Sequence, residues 1–116
     1  MSNIEIRFSG YLRGHLDEIT YVSWSPDSKF LASSSHDMTI RIWDIKSKST
    51  IRILKGHKDI VNWVSWSPNG QYIASCSEDK TVRIWNWKRG AKKAKILKDF
   101  KTTVSKIIWS HDSRYL

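Results

Sequence analysis

Two sets of residues in this chain have the composition of a nucleophilic triad: His15, Ser33 and Asp37, and again His57, Ser75 and Asp79. In such a triad a carboxylate orients an imidazole, and the imidazole takes the proton from a hydroxyl. The spacing points elsewhere. Every member of the first set reappears 42 positions later, and a single nucleophile is not needed once per repeat. No Gly-rich nucleophile elbow surrounds either serine. Metal chemistry has even less support. His15, His36, His57, His111 and Cys76 show no CxxC or HxxxH spacing, so no metal site and no cofactor is expected.

The elements that must hold these residues are written twice. Leu12 to Asp44 reads LRGHLDEITYVSWSPDSKFLASSSHDMTIRIWD, and Leu54 to Asn86 reads LKGHKDIVNWVSWSPNGQYIASCSEDKTVRIWN. A third copy starts near Leu97 at an offset of 43, with Val104 for Val61, Trp109 for Trp66 and Tyr115 for Tyr72. Its Gly-His is replaced by Asp99-Phe100 and its Ser-Pro by Ser110-His111.

Within the first copy, Ile19 and the Val22/Trp24 pair stand on one face only if the strand changes phase between them, which predicts a β-bulge at Thr20 and Tyr21. Ser25 to Ser28 is a turn in which Pro26 presets φ and Asp27 bonds the backbone. Strands follow at Phe30 to Ser35, Thr39 to Asp44 and Thr50 to Leu54. The second copy predicts them at Val61 to Trp66, Tyr72 to Ser77, Thr81 to Trp87 and about Ala94 to Leu97. Ile4 to Phe8 alternates as a half-buried strand, and counting back one repeat puts Phe8 to Leu12 in the place of a fourth, outer strand. No stretch of ten or more residues has a helical apolar period, so the expectation is all-β.

Gly14-His15, Asp37 and Trp43-Asp44, repeated as Gly56-His57, Asp79 and Trp85-Asn86, resemble the WD-repeat (WD40) family of β-propellers. The resemblance implies a partial propeller. Residues 1–11 supply the outer strand of a preceding blade, 12–53 repeat 1, 54–96 repeat 2, and 97–116 a truncated repeat 3. It also implies that His15, Ser33, Asp37 and Trp43, and likewise His57, Ser75, Asp79 and Trp85, form a hydrogen-bond network inside each blade. Buried indole, imidazole and hydroxyl groups all need partners. Partners of the family land on the rim made by the loops entering the inner strand and joining the second strand to the third. Those positions are Thr20, Tyr21 and His36 in one blade and Asn62, Trp63 and Glu78 in the next, with Ser105 and Lys106 matching in the third. Trp63 is either an exposed anchor for a partner or a packing residue between blades.

Propellers close with about four to eight blades, more than these repeats supply. The expectation is therefore a fragment of a longer propeller, the alternative being several copies assembled into one ring. With 20 Lys and Arg against 11 Asp and Glu the chain carries +9, a balance that favours acidic partners. Much of that charge lies in one run, where Lys88, Arg89, Lys92, Lys93, Lys95, Lys98 and Lys101 face the single acid Asp99. The run reads as a solvated turn; its rival reading is a nucleic-acid footprint at Lys88, Arg89, Lys92, Lys93 and Lys95. Cys76 is the lone cysteine, and no apolar run suits a signal peptide or a membrane span. The resulting expectation is a soluble protein of the cytoplasm or nucleus that acts as a non-catalytic protein-interaction scaffold. A nucleic-acid-binding module using residues 88–101 is the alternative.

Overall fold

The computed structural model describes residues 3–6, 10–89, 94–98 and 100–111. Ten strands run through them: β1 (Asn3–Ile6), β2 (Gly10–Arg13), β3 (Ile19–Trp24), β4 (Phe30–Ser35), β5 (Thr39–Asp44), β6 (Ser49–Lys55), β7 (Val61–Trp66), β8 (Ile73–Ser77), β9 (Val82–Trp85) and β10 (Lys95–Leu97). There is no helix among the described residues. β3 to β6 form one four-stranded antiparallel sheet in sequence order, and β7 to β10 form a second. Each is one blade of a partial propeller.

The expected bulge is present in both blades. Pairing of β3 with β4 shifts between Ile19 and Tyr21, and pairing of β7 with β8 shifts between Val61 and Trp63. The extra residue in each lets a strand with apolar residues in two phases turn both sets inward. At the next turn the two copies differ: the left-handed position is Ser28 in the first (φ 62°) and Gly70 in the second (φ 73°). Glycine takes that conformation without a Cβ penalty; serine accepts it with strain.

Two expectations need correction. The outer strand expected at Phe8 to Leu12 is Gly10–Arg13, Phe8 lying outside the described residues, and it does not stand alone. It pairs with β1, and Ile4 opposite Leu12 and Asn3 opposite Arg13 reproduce Ile40 opposite Leu54 and Thr39 opposite Lys55. The hairpin thus copies both outer strands of a blade. The third strand of repeat 2 is Val82–Trp85, not Thr81 to Trp87, because Asn86 to Arg89 turn away from it. Residues 104–109, bonded to β7 at Val104 and Trp109, lie in the inner-strand position of repeat 3 and carry no ladder pairing among the described residues.

The core lies between blades and is built the same way twice. Ile40, Leu54, Val61, Ile73 and Trp85 are buried together with Ala32, Ile42, Val64, Trp66 and Trp87. One repeat earlier Ile4, Leu12, Leu31 and Trp43 form the matching cluster, with Ile19 packed on it. Two members differ sharply. Val64 and Trp66 are 0% and 6% exposed, whereas their counterparts Val22 and Trp24 are 37% and 48% exposed. Strands β3 and β4 cover the former, and the β1–β2 hairpin has no inner strands to cover the latter.

Candidate functional site

Both Ser-His-Asp sets close into chains of hydrogen bonds, and each chain is extended by a tryptophan. Trp43 Nε1–H lies 2.9 Å from Ser33 Oγ, Ser33 Oγ 2.6 Å from His15 Nε2, and His15 Nδ1 2.8 Å from Asp37 Oδ2. In the second blade Trp85 to Ser75 is 2.8 Å, Ser75 to His57 2.7 Å and His57 to Asp79 2.8 Å. Chemistry fixes the proton positions. The carboxylate only accepts, so Nδ1 carries a proton, and burial keeps the imidazole neutral, so Nε2 accepts from the serine hydroxyl. The serine oxygen in turn accepts from the indole, which only donates.

The turn between second and third strands holds the carboxylate in place. Asp37 Oδ1 accepts from the Thr39 amide at 2.9 Å while Oδ2 takes the Leu16 amide at 3.0 Å. Asp79 does the same with Thr81 at 3.0 Å and Lys58 at 3.0 Å. The loop before each histidine must come close to the indole. A Cβ on Gly14 would stand 2.9 Å from Trp43 Cη2 and 2.8 Å from Arg41 Nη1, so a larger residue there would have to displace the buried indole.

Proton positions and electrostatics agree. Burial pushes His15 and His57 below the usual imidazole range, overcoming the pull of Asp37 and Asp79 toward the charged form. Burial would raise the two carboxyls, but hydrogen bonds from Thr39, His15 and the Leu16 amide hold Asp37 at about 2. Those from Thr81, the Lys58 amide and His57 hold Asp79 at about 2. Both kinds of group therefore bind protons more readily when unfolded. Stability is expected to be full above about pH 6.5. It should fall as the pH drops below that value, when the unfolded histidines charge, and fall again below about pH 4 as the unfolded carboxylates protonate toward the folded value near 2. Urea melts from pH 8 to pH 3 would show this; a midpoint that rises on acidification would refute it.

The geometry matches a triad atom for atom, yet it is closed to any substrate. Ser33 and Ser75 are fully buried, and each hydroxyl oxygen is already occupied by an indole N–H. A nucleophile needs an open approach along its lone pair, and these have none. Nor do three or more His, Cys, Asp or Glu side chains converge as a metal site among the described residues.

The rim candidates divide. Thr20 Oγ1–H donates to the Val61 carbonyl at 2.6 Å, and Asn62 Nδ2–H donates to that of Val104 at 3.2 Å, so both tie one inner strand to the next. Tyr21 and Trp63 stack across the same junction with ring centroids 3.5 Å apart, and the Lys106 ammonium sits 5.5 Å from the Trp63 centroid. Trp63 thus packs between blades with part of its ring still accessible. His36 is exposed and Glu78 half-buried on the flanking turns, and Ser105 is exposed. Sequence reasoning missed a second inter-blade link: Trp66 Nε1–H donates to the Ser23 carbonyl at 2.8 Å, and Trp109 Nε1–H to that of Ser65 at 3.1 Å. A tryptophan in this position in all three copies was the available signal.

Two consecutive sheets with this network repeat the same blade, and the family model described as "WD domain, G-beta repeat" matches residues 6–44 and 48–86. The chain belongs to the WD40-repeat family. WD repeat-containing protein 18 of Homo sapiens is 48% identical over 40 residues, covering 34% of this chain and 9% of that protein. Protein HIRA of Dictyostelium discoideum is 54% identical over 33 residues, 28% of this chain and 3% of that one. This WD40 chain therefore spans less than a tenth of the length of these curated relatives. The solved structure of U3-55K superimposes with a TM-score of 0.74 at 24% identity, over 79% of this chain and 30% of that one, a likeness of fold.

Proposed function

We propose that this WD40 chain is a non-catalytic protein-interaction scaffold whose partner docks on the rim around Tyr21 and Trp63. WD-repeat proteins generally act as such scaffolds. The observation that carries the reading is the closure of both Ser-His-Asp chains by buried tryptophans, which leaves the blade network a structural task. What remains accessible is a rigid rim. It bears a stacked aromatic pair, half-buried, between the exposed His36 and the half-buried Glu78. Aromatic side chains held in place by their surroundings lose little entropy on binding and dominate interface energies. The exposed Val22 and Trp24 support a second part of the reading, that further blades complete the ring.

The test is site-specific photocrosslinking in cells. A benzophenone amino acid at His36 or Glu78 should give discrete adducts that vanish when Tyr21 and Trp63 are both changed to leucine. The same probe at Lys46, on the opposite edge of the blades, should give no adduct with a protein. Equal adduct patterns from all three positions would overturn the assignment.

A further inference from the structure

The charge of this chain is divided between its two faces. Strand directions put the turns after the first and third strands of each blade on one face, and the turns after the second and fourth on the other. The second of these faces carries the acids Asp17, Glu18, Asp37, Asp59, Glu78 and Asp79 among its lysines. On the first, the described acids are Asp27 and Asp44, and both are engaged by their own turns. Asp27 Oδ1 accepts from Ser25 Oγ at 2.6 Å and the Lys29 amide at 3.0 Å, and Asp44 Oδ1 from the Lys46 amide at 3.0 Å. Against them stand Lys29, Lys46, Lys48, Arg52, Lys88 and Arg89, all exposed.

Some of these cations meet across the blade junction. Arg52, from the outer strand of the first blade, donates through Nη2 to the Lys88 carbonyl of the second at 3.1 Å, which brings its guanidinium against the 86–89 turn. Beside that turn lies a recess of about 480 Å³ lined by the amides of Asn69, Gln71 and Asn86 and by Lys88 and Arg89. It contains no carboxylate.

We propose that this face binds a single-stranded nucleic acid by its phosphates, with the amide-lined recess taking one nucleotide. Exposed lysines gain little from single carboxylates. Against a phosphodiester chain, the same residues release condensed counterions and gain affinity without being held rigid. Side-chain amides are common donors to phosphate oxygens and to base edges. A duplex is too stiff to follow turn tips into a recess, whereas a single strand can do so.

The experiment is fluorescence anisotropy with a labelled 15-nucleotide oligouridylate and the full chain. Affinity should fall roughly 10- to 100-fold between 50 and 200 mM salt. The double variant Lys88→Glu/Arg89→Glu should lose at least tenfold, and Lys46→Glu/Lys48→Glu should lose severalfold. Lys58→Glu/Lys80→Glu removes the same charge from the opposite face and should change nothing. Unchanged melting curves would show all three variants to be folded. Equal losses from both faces would mean that net charge alone is responsible, and no oligonucleotide binding at 50 mM salt would sink the proposal. Competition by polyglutamate at matched charge concentration would reassign the face to an acidic protein partner.

Discussion

His57→Ala is expected to destabilise the fold by about 2–4 kcal/mol, a large share of what a domain of this size possesses. Three losses add up. The imidazole is almost fully buried, so its removal leaves a cavity that a packed sheet fills only in part. Ser75 keeps the indole bond from Trp85 but loses the acceptor for its own proton. Asp79 stays ionised near its turn without the imidazole N–H that helps hold it at about 2. Buried polar groups left unpaired cost about 1–3 kcal/mol each, which sets the lower bound. A thermal melt decides the matter: an unchanged midpoint would mean that the network is dispensable and that its triad geometry needs another explanation. His15→Ala should follow suit, since its bonds to serine and aspartate, 2.6 and 2.8 Å, match the 2.7 and 2.8 Å of His57.

The second large effect compares two tryptophans at the same place in their repeats. Trp66→Ala should cost about 3–5 kcal/mol and Trp24→Ala less than about 1. Trp66 is 6% exposed, meets Trp87 edge-on at 5.2 Å between centroids, lies 6.5 Å from Phe30, and is bonded to the Ser23 carbonyl of the preceding blade. Trp24 is 48% exposed. The two residues hold the same strand position; what differs is the inner half-blade that covers Trp66 and the Trp87 that stands beside it where the first repeat has Ile45. Urea denaturation of the two variants measures the value of blade-to-blade contact; similar losses at both sites would show the indole to act within its own sheet.

Much of this was legible in the sequence because the repeat constrains it twice. The bulge followed from the phase change between Ile19 and Val22, and its recurrence at Val61 to Trp63 left no other register for the second copy. The histidine–aspartate bonds were foreshadowed by a spacing from His15 to Asp37 that recurs unchanged from His57 to Asp79. The N-terminal hairpin was not legible, for a physical reason. Ile4 and Leu12 stand much closer along the chain than the matching Ile40 and Leu54, so a shorter hairpin hides the homology of NIEI to TIRI. The place of Trp63 was equally hidden. Its stacking partner Tyr21 sits one full repeat away on another sheet, and no local pattern records contacts between sheets. The division of charge between faces could have been found by sorting the turns alone, since strand alternation fixes which turns share a face.

The β1–β2 hairpin has a kinetic consequence. Its two strands meet across a short connection and can pair early, at small cost in loop closure. Among the described residues no inner strand stands beside this hairpin, so it packs on Ile19, Leu31 and Trp43 and leaves Val22 and Trp24 exposed. A two-stranded hairpin held on one side loses less by detaching than a four-stranded sheet does. The hairpin is expected to open first, with amide protons of β1 exchanging before those of β4 and β8. The two complete sheets, each strand paired with its neighbour in sequence, then form the slower-exchanging part of the molecule.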